Sequence, residues 1–348
     1  MLRRLIPFVV TVAACGDSSA PPVSTADGDE GGSSGEESVI DSGNARGDGD
    51  CADGCAFDIM VGGDALFGTL LLPDGEGPHP AVLIHAGSGP TDRDGNTPLL
   101  RGRNDSLRLL AQGLQARGVA SLRFDKRGIG ESAGALTSEV GFEIGVLVED
   151  LAAWHTALAD DARISRVTLV GHSEGSLIAI LSAQQRRPDG LVSLAGVGRP
   201  AGDLLREQLA AQLPAELLTD AESFIETLEA GGEIEGEVPP ELQSIFRPSV
   251  HDYLRSWLAF DPAQELSKVE TDALAVVQGT TDSQVAVQDA ELLAAAHPDA
   301  ALHVIDGMSH VLKQASASPA DQMAAYTDPD LPVMPEVFDI IAPLSSGR

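Results

Sequence analysis

Three scarcities bound this chain. Cysteine occurs three times in 348 residues, which excludes a dense disulfide framework or a multi-cysteine metal cluster as the source of its stability. Positive charge is scarce as well. Lys and Arg total 22 against 53 Asp and Glu, a formal net charge of −31, and such a surface repels phosphate backbones, so nucleic acid is excluded as a partner. Long apolar runs are missing too: none approaches the roughly 18 residues that mark a membrane-spanning helix. What remains is 43% hydrophobic and 22% charged, enough to bury one large core. The acidity favours solubility and disfavours strongly anionic substrates.

The amino-terminal stretch reads as an address. Arg3 and Arg4 precede the apolar residues 5–14, the size of a signal-peptide core. The segment ends Val12-Ala13-Ala14-Cys15, and small residues before a cysteine resemble the lipobox of bacterial lipoproteins. That resemblance implies cleavage before Cys15, lipidation of its thiol and residence in the bacterial cell envelope, with membrane contact only through the acyl anchor. Residues 16–50 are rich in Gly, Ser, Asp and Glu and cannot bury enough surface to fold. Cys51 and Cys55 then form an even pair whose spacing suits a small disulfide ring; two thiols without an adjacent His do not complete a zinc site. The expected organisation is a signal peptide over 1–14, a lipidated Cys and flexible acidic linker over 15–56, and a folded domain over 57–348.

Within that domain apolar runs and amphipathic stretches alternate. Residues 58–62 and 65–73 read as a hairpin. Residues 81–85, 119–124, 167–170 and 191–195 read as strands, with helical spacing over 105–117, 144–158 and 176–186 between them. The alternation breaks at about 199–260, which is acidic, helical and loop-rich, and resumes with strands at 274–278 and 301–305 around a helix at 285–296. A closing helix is expected at 337–344. The pattern predicts an α/β fold: a mostly parallel central sheet with helices on both faces and an inserted helical cap.

Gly171-His172-Ser173-Glu174-Gly175 follows the run at 167–170 and precedes a helix. That is the strand, tight turn and helix that hold a nucleophilic serine at the top of a sheet. A serine hydroxyl needs a base, and His310, in a loop just past the last strand, is the best placed of eight histidines. The base needs a carboxylate to orient it; Asp282 follows the strand at 274–278. Two backbone amides must face the developing oxyanion. Glu174, directly after the nucleophile, supplies one. Ser88 is chosen for the other, with Gly87 as second choice, from the loop His85-Ala86-Gly87-Ser88-Gly89-Pro90.

Four blocks carry a family resemblance: residues 87–96, Phe124-Asp125-Lys126-Arg127-Gly128-Ile129-Gly130-Glu131-Ser132, the serine turn, and residues 307–313. Together they resemble the α/β-hydrolase superfamily, in its serine aminopeptidase-like and cinnamoyl-esterase-like branch. The resemblance implies a Ser173-Asp282-His310 triad that needs no cofactor or metal. The leading expectation is hydrolysis of a small carboxylic acyl ester through an acyl-enzyme. An aminopeptidase is the alternative, because Gly231-Gly232-Glu233 resembles the Gly-Gly-Glu motif of proline iminopeptidases. An acyl-thioesterase would share every catalytic residue. A non-catalytic binding protein on the same scaffold is the remaining reading. Asp92, Arg93, Asp94, Asp125 and Arg127 are read as ion pairs and turns that fix loops. Oligomeric state is not legible from the sequence.

Overall fold

The computed structural model describes residues 54–347. The described residues open with a hairpin, β1 (Cys55–Val61) and β2 (Asp64–Leu71), whose register pairs Cys55 with Leu70 and Val61 with Asp64. It continues through β3 (His79–His85), α1 (Ser106–Gln115), β4 (Ala120–Phe124), α2 (Ile144–Ala159), β5 (Ile164–His172), α3 (Glu174–Gln185) and β6 (Gly190–Leu194). Helices α4 (Ala201–Ala210), α5 (Ala215–Glu229), α6 (Gln243–Phe246), α7 (His251–Leu258) and α8 (Pro262–Leu266) interrupt the alternation. It then resumes with β7 (Leu274–Gly279), α9 (Val287–Ala296) and β8 (Ala300–Ile305), and closes with α10 (Pro319–Thr327) and α11 (Pro335–Ser346).

The eight strands form one sheet in the order β1-β2-β4-β3-β5-β6-β7-β8. Only β2 runs against the others. Parallel neighbours need long crossovers, and the intervening helices supply them. Strand side chains alternate between two cores. Leu83, Leu169 and Val276 face the core built with α2, α3 and the helices between β6 and β7. Val82, Ile84, Val170, Ala275 and Val277 face the one built with α1 and α11. Both sheet faces are therefore covered, which explains why the central strands are apolar runs without polar alternation.

Helix α7 lies over the sheet's carboxyl end and is tied down at its flank. Asp252 accepts from the Gly141 amide at 2.8 Å, and Ser256 Oγ accepts from the Ile144 amide at 2.9 Å. Cys55 is disulfide-bonded and is the only cysteine among the described residues. The expectations for Cys15 and for Cys51 as the pairing partner fall outside the described residues. No helix among the described residues is long and apolar enough to cross a membrane.

Candidate active site

The site assembles where the parallel strands end. Gly171, near the end of β5, pairs with His85 at the end of β3 and with Ser193 of β6. The turn after β5 is so tight that it requires glycine on both sides of the serine. A Cβ on Gly171 would lie 2.2 Å from the Gly175 carbonyl oxygen, and one on Gly175 would lie 2.6 Å from the His85 oxygen. Ser173 itself adopts φ 56° and ψ −123°, a conformation costly for any residue with a side chain. Its amide is nevertheless held, donating to the Leu194 oxygen at 2.9 Å. The strain lifts the Ser173 side chain out of the strand's pleat, at the start of α3. The first amides of that helix have no intrahelical acceptor, so they are available to an anion.

Asp282 and His310 meet from neighbouring strand ends. In register, Gly279 of β7 sits opposite Ile305 of β8, and the loops that follow carry the two residues. His310 Nδ1 donates to Asp282 Oδ2 at 2.8 Å, with both side chains buried. Burial pushes the Asp282 carboxyl up, but the adjacent His310 and hydrogen bonds from His310, Val285 and Gln284 outweigh it, leaving the group below the ordinary carboxylate range. An ionised Asp282 fixes the proton of His310 on Nδ1 and leaves the Nε2 lone pair for a substrate-side proton. Asp282 Oδ1 accepts from the amides of Gln284 and Val285. These bonds close a turn ahead of α9, whose N-cap is Ala286, so Asp282 does not cap the helix.

The serine turn and the histidine loop are joined through His172. Its Nε2 donates to the His310 carbonyl oxygen at 2.8 Å, and the two rings lie 4.9 Å apart. Burial, reinforced by His310, lowers His172 to about 4, so it stays neutral at working pH. Ser88 lies in the loop after β3, beside the turn: a Cβ on Gly87 would sit 3.1 Å from the Ser173 Cβ. Ser173, Glu174, Leu177, Val197, Arg199, Ala201, Trp257 and Pro262 line a small cavity of about 20 Å³, little more than one water occupies.

Two residues in the second and third sequence blocks stand closer to the site than their motifs suggest. Lys126 is buried against the loop after β3, and the Glu174 side chain is buried beneath α7. Of the other charges singled out in the sequence, Arg93, Asp94, Asp125 and Arg127 form ion pairs, whereas Asp92 accepts from the amides of Asp94 and Asn96. Arg93 bridges Asp125 and Glu131, Arg123 pairs with Asp94, and Arg127 pairs with Asp150 at 2.7 Å and with Asp64. The Glu233 side chain is 83% exposed, stands 3.8 Å from Arg255 and is not among the residues that line the cavity.

This sheet order, with a strained serine after β5 and a carboxylate and histidine after β7 and β8, defines an α/β hydrolase. The family model of serine aminopeptidase, S33, matches residues 104–314, and the chain belongs to that family of hydrolases. Esterase EstD of Thermotoga maritima is 31% identical over 236 residues, covering 68% of this chain and 54% of that protein, so the match spans about half of the relative's length. Among solved structures, Est1E from Butyrivibrio proteoclasticus superposes with a TM-score of 0.52 at 16% identity, covering 84% of this chain and 99% of that one. A serine hydrolase involved in carbazole degradation, the CarC enzyme, gives 0.52 at 17% identity, covering 85% and 100%. Both are likenesses of fold.

Proposed function

We propose that the protein is a serine hydrolase of carboxylic esters with a short acyl group. Ser173 Oγ attacks the acyl carbon while His310 Nε2 takes its proton. Asp282 holds the imidazole and offsets its charge, and the amides of Glu174 and Ser88 receive the oxyanion. His310 returns the proton to the leaving alcohol, and water resolves the acyl-enzyme by the same route. The observation that carries this reading is the conjunction of a strained Ser173 with the buried Asp282–His310 pair at one end of the sheet. The esterase name of the Thermotoga relative supports the ester class. The small cavity beside Ser173 favours a short acyl group. The exposure of Glu233 speaks against the aminopeptidase alternative, which needs a carboxylate facing the substrate's ammonium.

The test is turnover of nitrophenyl esters of increasing length against amino-acid nitroanilides. The reading expects acetate and propionate to turn over fastest, Ser173→Ala to abolish the activity, and anilides to stay silent. Anilide cleavage blocked by N-terminal acetylation would overturn it in favour of a peptidase.

We further propose export and lipidation at Cys15. Participation of Cys55 in a disulfide suits an oxidising compartment. Expression of the full chain in a bacterial host should place it in the membrane fraction, with Cys15→Ser releasing it; equal partition of the two would count against the anchor.

A further inference from the structure

Behind the loop after β3 lies a charge that the triad does not use. Lys126 follows β4 and is only 4% exposed. Its Nζ donates to the carbonyl oxygen of Gly87, and to that of Gly89 at 2.9 Å. These two carbonyls flank Ser88. In a trans peptide the N–H points opposite to the C=O. With the Gly87 carbonyl turned toward the ammonium, the Ser88 N–H is turned away from it. The preceding peptide differs. The Ala86 oxygen lies against α3, 2.7 Å from where a Gly175 Cβ would be, so the Gly87 N–H points away from that helix. The loop therefore distinguishes Ser88 from Gly87 as the oxyanion donor.

The ammonium is itself held. Glu174, the first residue of α3, is buried and its charge acts on Lys126; burial raises the Glu174 carboxyl, and Lys126 and the Tyr253 hydroxyl oppose that rise. The Tyr253 hydroxyl of α7 donates to the Glu174 carboxylate, and the Tyr253 ring stacks on Phe142 at 5.8 Å. His85 from β3 and His172 from β5 also face Lys126. Burial, with Lys126 adding to it, holds His85 at about 3, and His172 stands at about 4, so both are neutral neighbours. A buried ammonium is expensive unless its bonds are satisfied, and here they are spent on the backbone of one loop.

We propose that Lys126 is a positioning residue for the oxyanion hole: its ammonium fixes the 87–89 backbone so that the Ser88 amide is presented to the substrate, with Glu174 and Tyr253 holding that ammonium from the serine turn and from α7. This rests on Ser173 being the nucleophile. Lys126 acts through the loop and touches no reacting atom. Burial lowers Lys126 to about 8, with Glu174 opposing the shift. The grip therefore weakens as pH rises through about 8, when the ammonium loses its proton. Replacing Glu174 by Gln removes the opposing charge and moves that loss to lower pH.

The experiment follows kcat and KM for nitrophenyl acetate from about pH 6 to 10, using the full chain and its Lys126→Met, Lys126→Arg, Glu174→Gln and Ser173→Ala variants. Lys126→Met is expected to lower kcat about 100-fold, the loss typical of one oxyanion donor, with KM within about threefold. Lys126→Arg should recover part of that loss and carry the alkaline limb upward. Glu174→Gln should shift the limb about one unit toward acid. A folded Lys126→Met with kcat within twofold of the parent overturns the proposal, as does an alkaline limb that Glu174→Gln leaves in place. If Lys126→Met fails to fold, the Glu174→Gln profile decides alone. Turnover that survives in Ser173→Ala would instead remove the nucleophile reading, and this proposal with it.

Discussion

His172 shows how a residue can serve the site without entering the chemistry. It sits in the variable position of the Gly-x-Ser-x-Gly turn, where the sequence assigns it no task. Its Nε2–H grips the His310 carbonyl and so sets the backbone from which the proposed base projects. Replacing it with Phe keeps the ring and removes the donor. Loss of a bond worth about 1 kcal/mol should cost roughly five- to tenfold in kcat, while Asp282→Asn, which disturbs the tautomer, should cost on the order of 10⁴-fold. Equal losses in steady-state assays of the two variants would show that His172 is more than a backbone clamp. Asp282 has a pH consequence as well. Its folded carboxyl lies below the ordinary range, so its contribution to stability is complete above about pH 4 and is lost as pH falls through the lower folded value. Ser173, Asp282 and His310 were legible as candidates because each lies at a fixed offset from an apolar strand, and the fold joins Asp282 to His310. Lys126 and Tyr253 were not, because a lysine in a turn and a tyrosine on a helix read as ordinary surface and core until the fold brings them to one point.

The strands were legible because their apolar runs are bounded by Gly and Pro, and α2 because its apolar positions recur at helical spacing. Other elements lacked that signature. Helix α10 buries Gln322 together with Ala325 and Tyr326, and Gln322 Nε2 donates to the oxygens of Thr281 and Ser316. A helix that buries an amide shows no apolar period, and its start is signalled only by the Ser318 cap and Pro319. Helix α8, five residues long, is set by the Asp261 side chain, which caps the amides of Ala263 and Gln264. The interruption between β6 and β7 was visible as a break in alternation, but its packing was not, because acidic amphipathic helices fit a sheet end in many ways. Helix α7 reaches the candidate site: Trp257 is one of the residues that line the cavity beside Ser173. Trp257→Leu opens it and should raise the kcat/KM ratio of octanoate to acetate about tenfold, the worth of added apolar contact in a pocket. An unchanged ratio in a stable variant would show that another wall sets acyl length.

Across the whole molecule, 53 acidic residues face 22 basic ones. Unlike charges are already matched in the loops around the sheet end, so the surplus is negative and repels itself. Screening should relieve that repulsion, and the thermal midpoint at pH 7 should rise by a few degrees as NaCl increases from about 10 mM to about 0.5 M. A fall would mean that the surface ion pairs outweigh the repulsion. The surplus leaves the chemistry at the sheet end intact, because the groups there are buried and paired among themselves. The most direct measurement is therefore made on Ser173. Intact protein is treated with a fluorophosphonate and its mass and peptides are mapped. One adduct on the peptide containing Ser173, absent from Ser173→Ala and slowed in Asp282→Asn, is the expected result. No adduct, or an adduct at another residue, would contradict the assignment of Ser173 as the nucleophile.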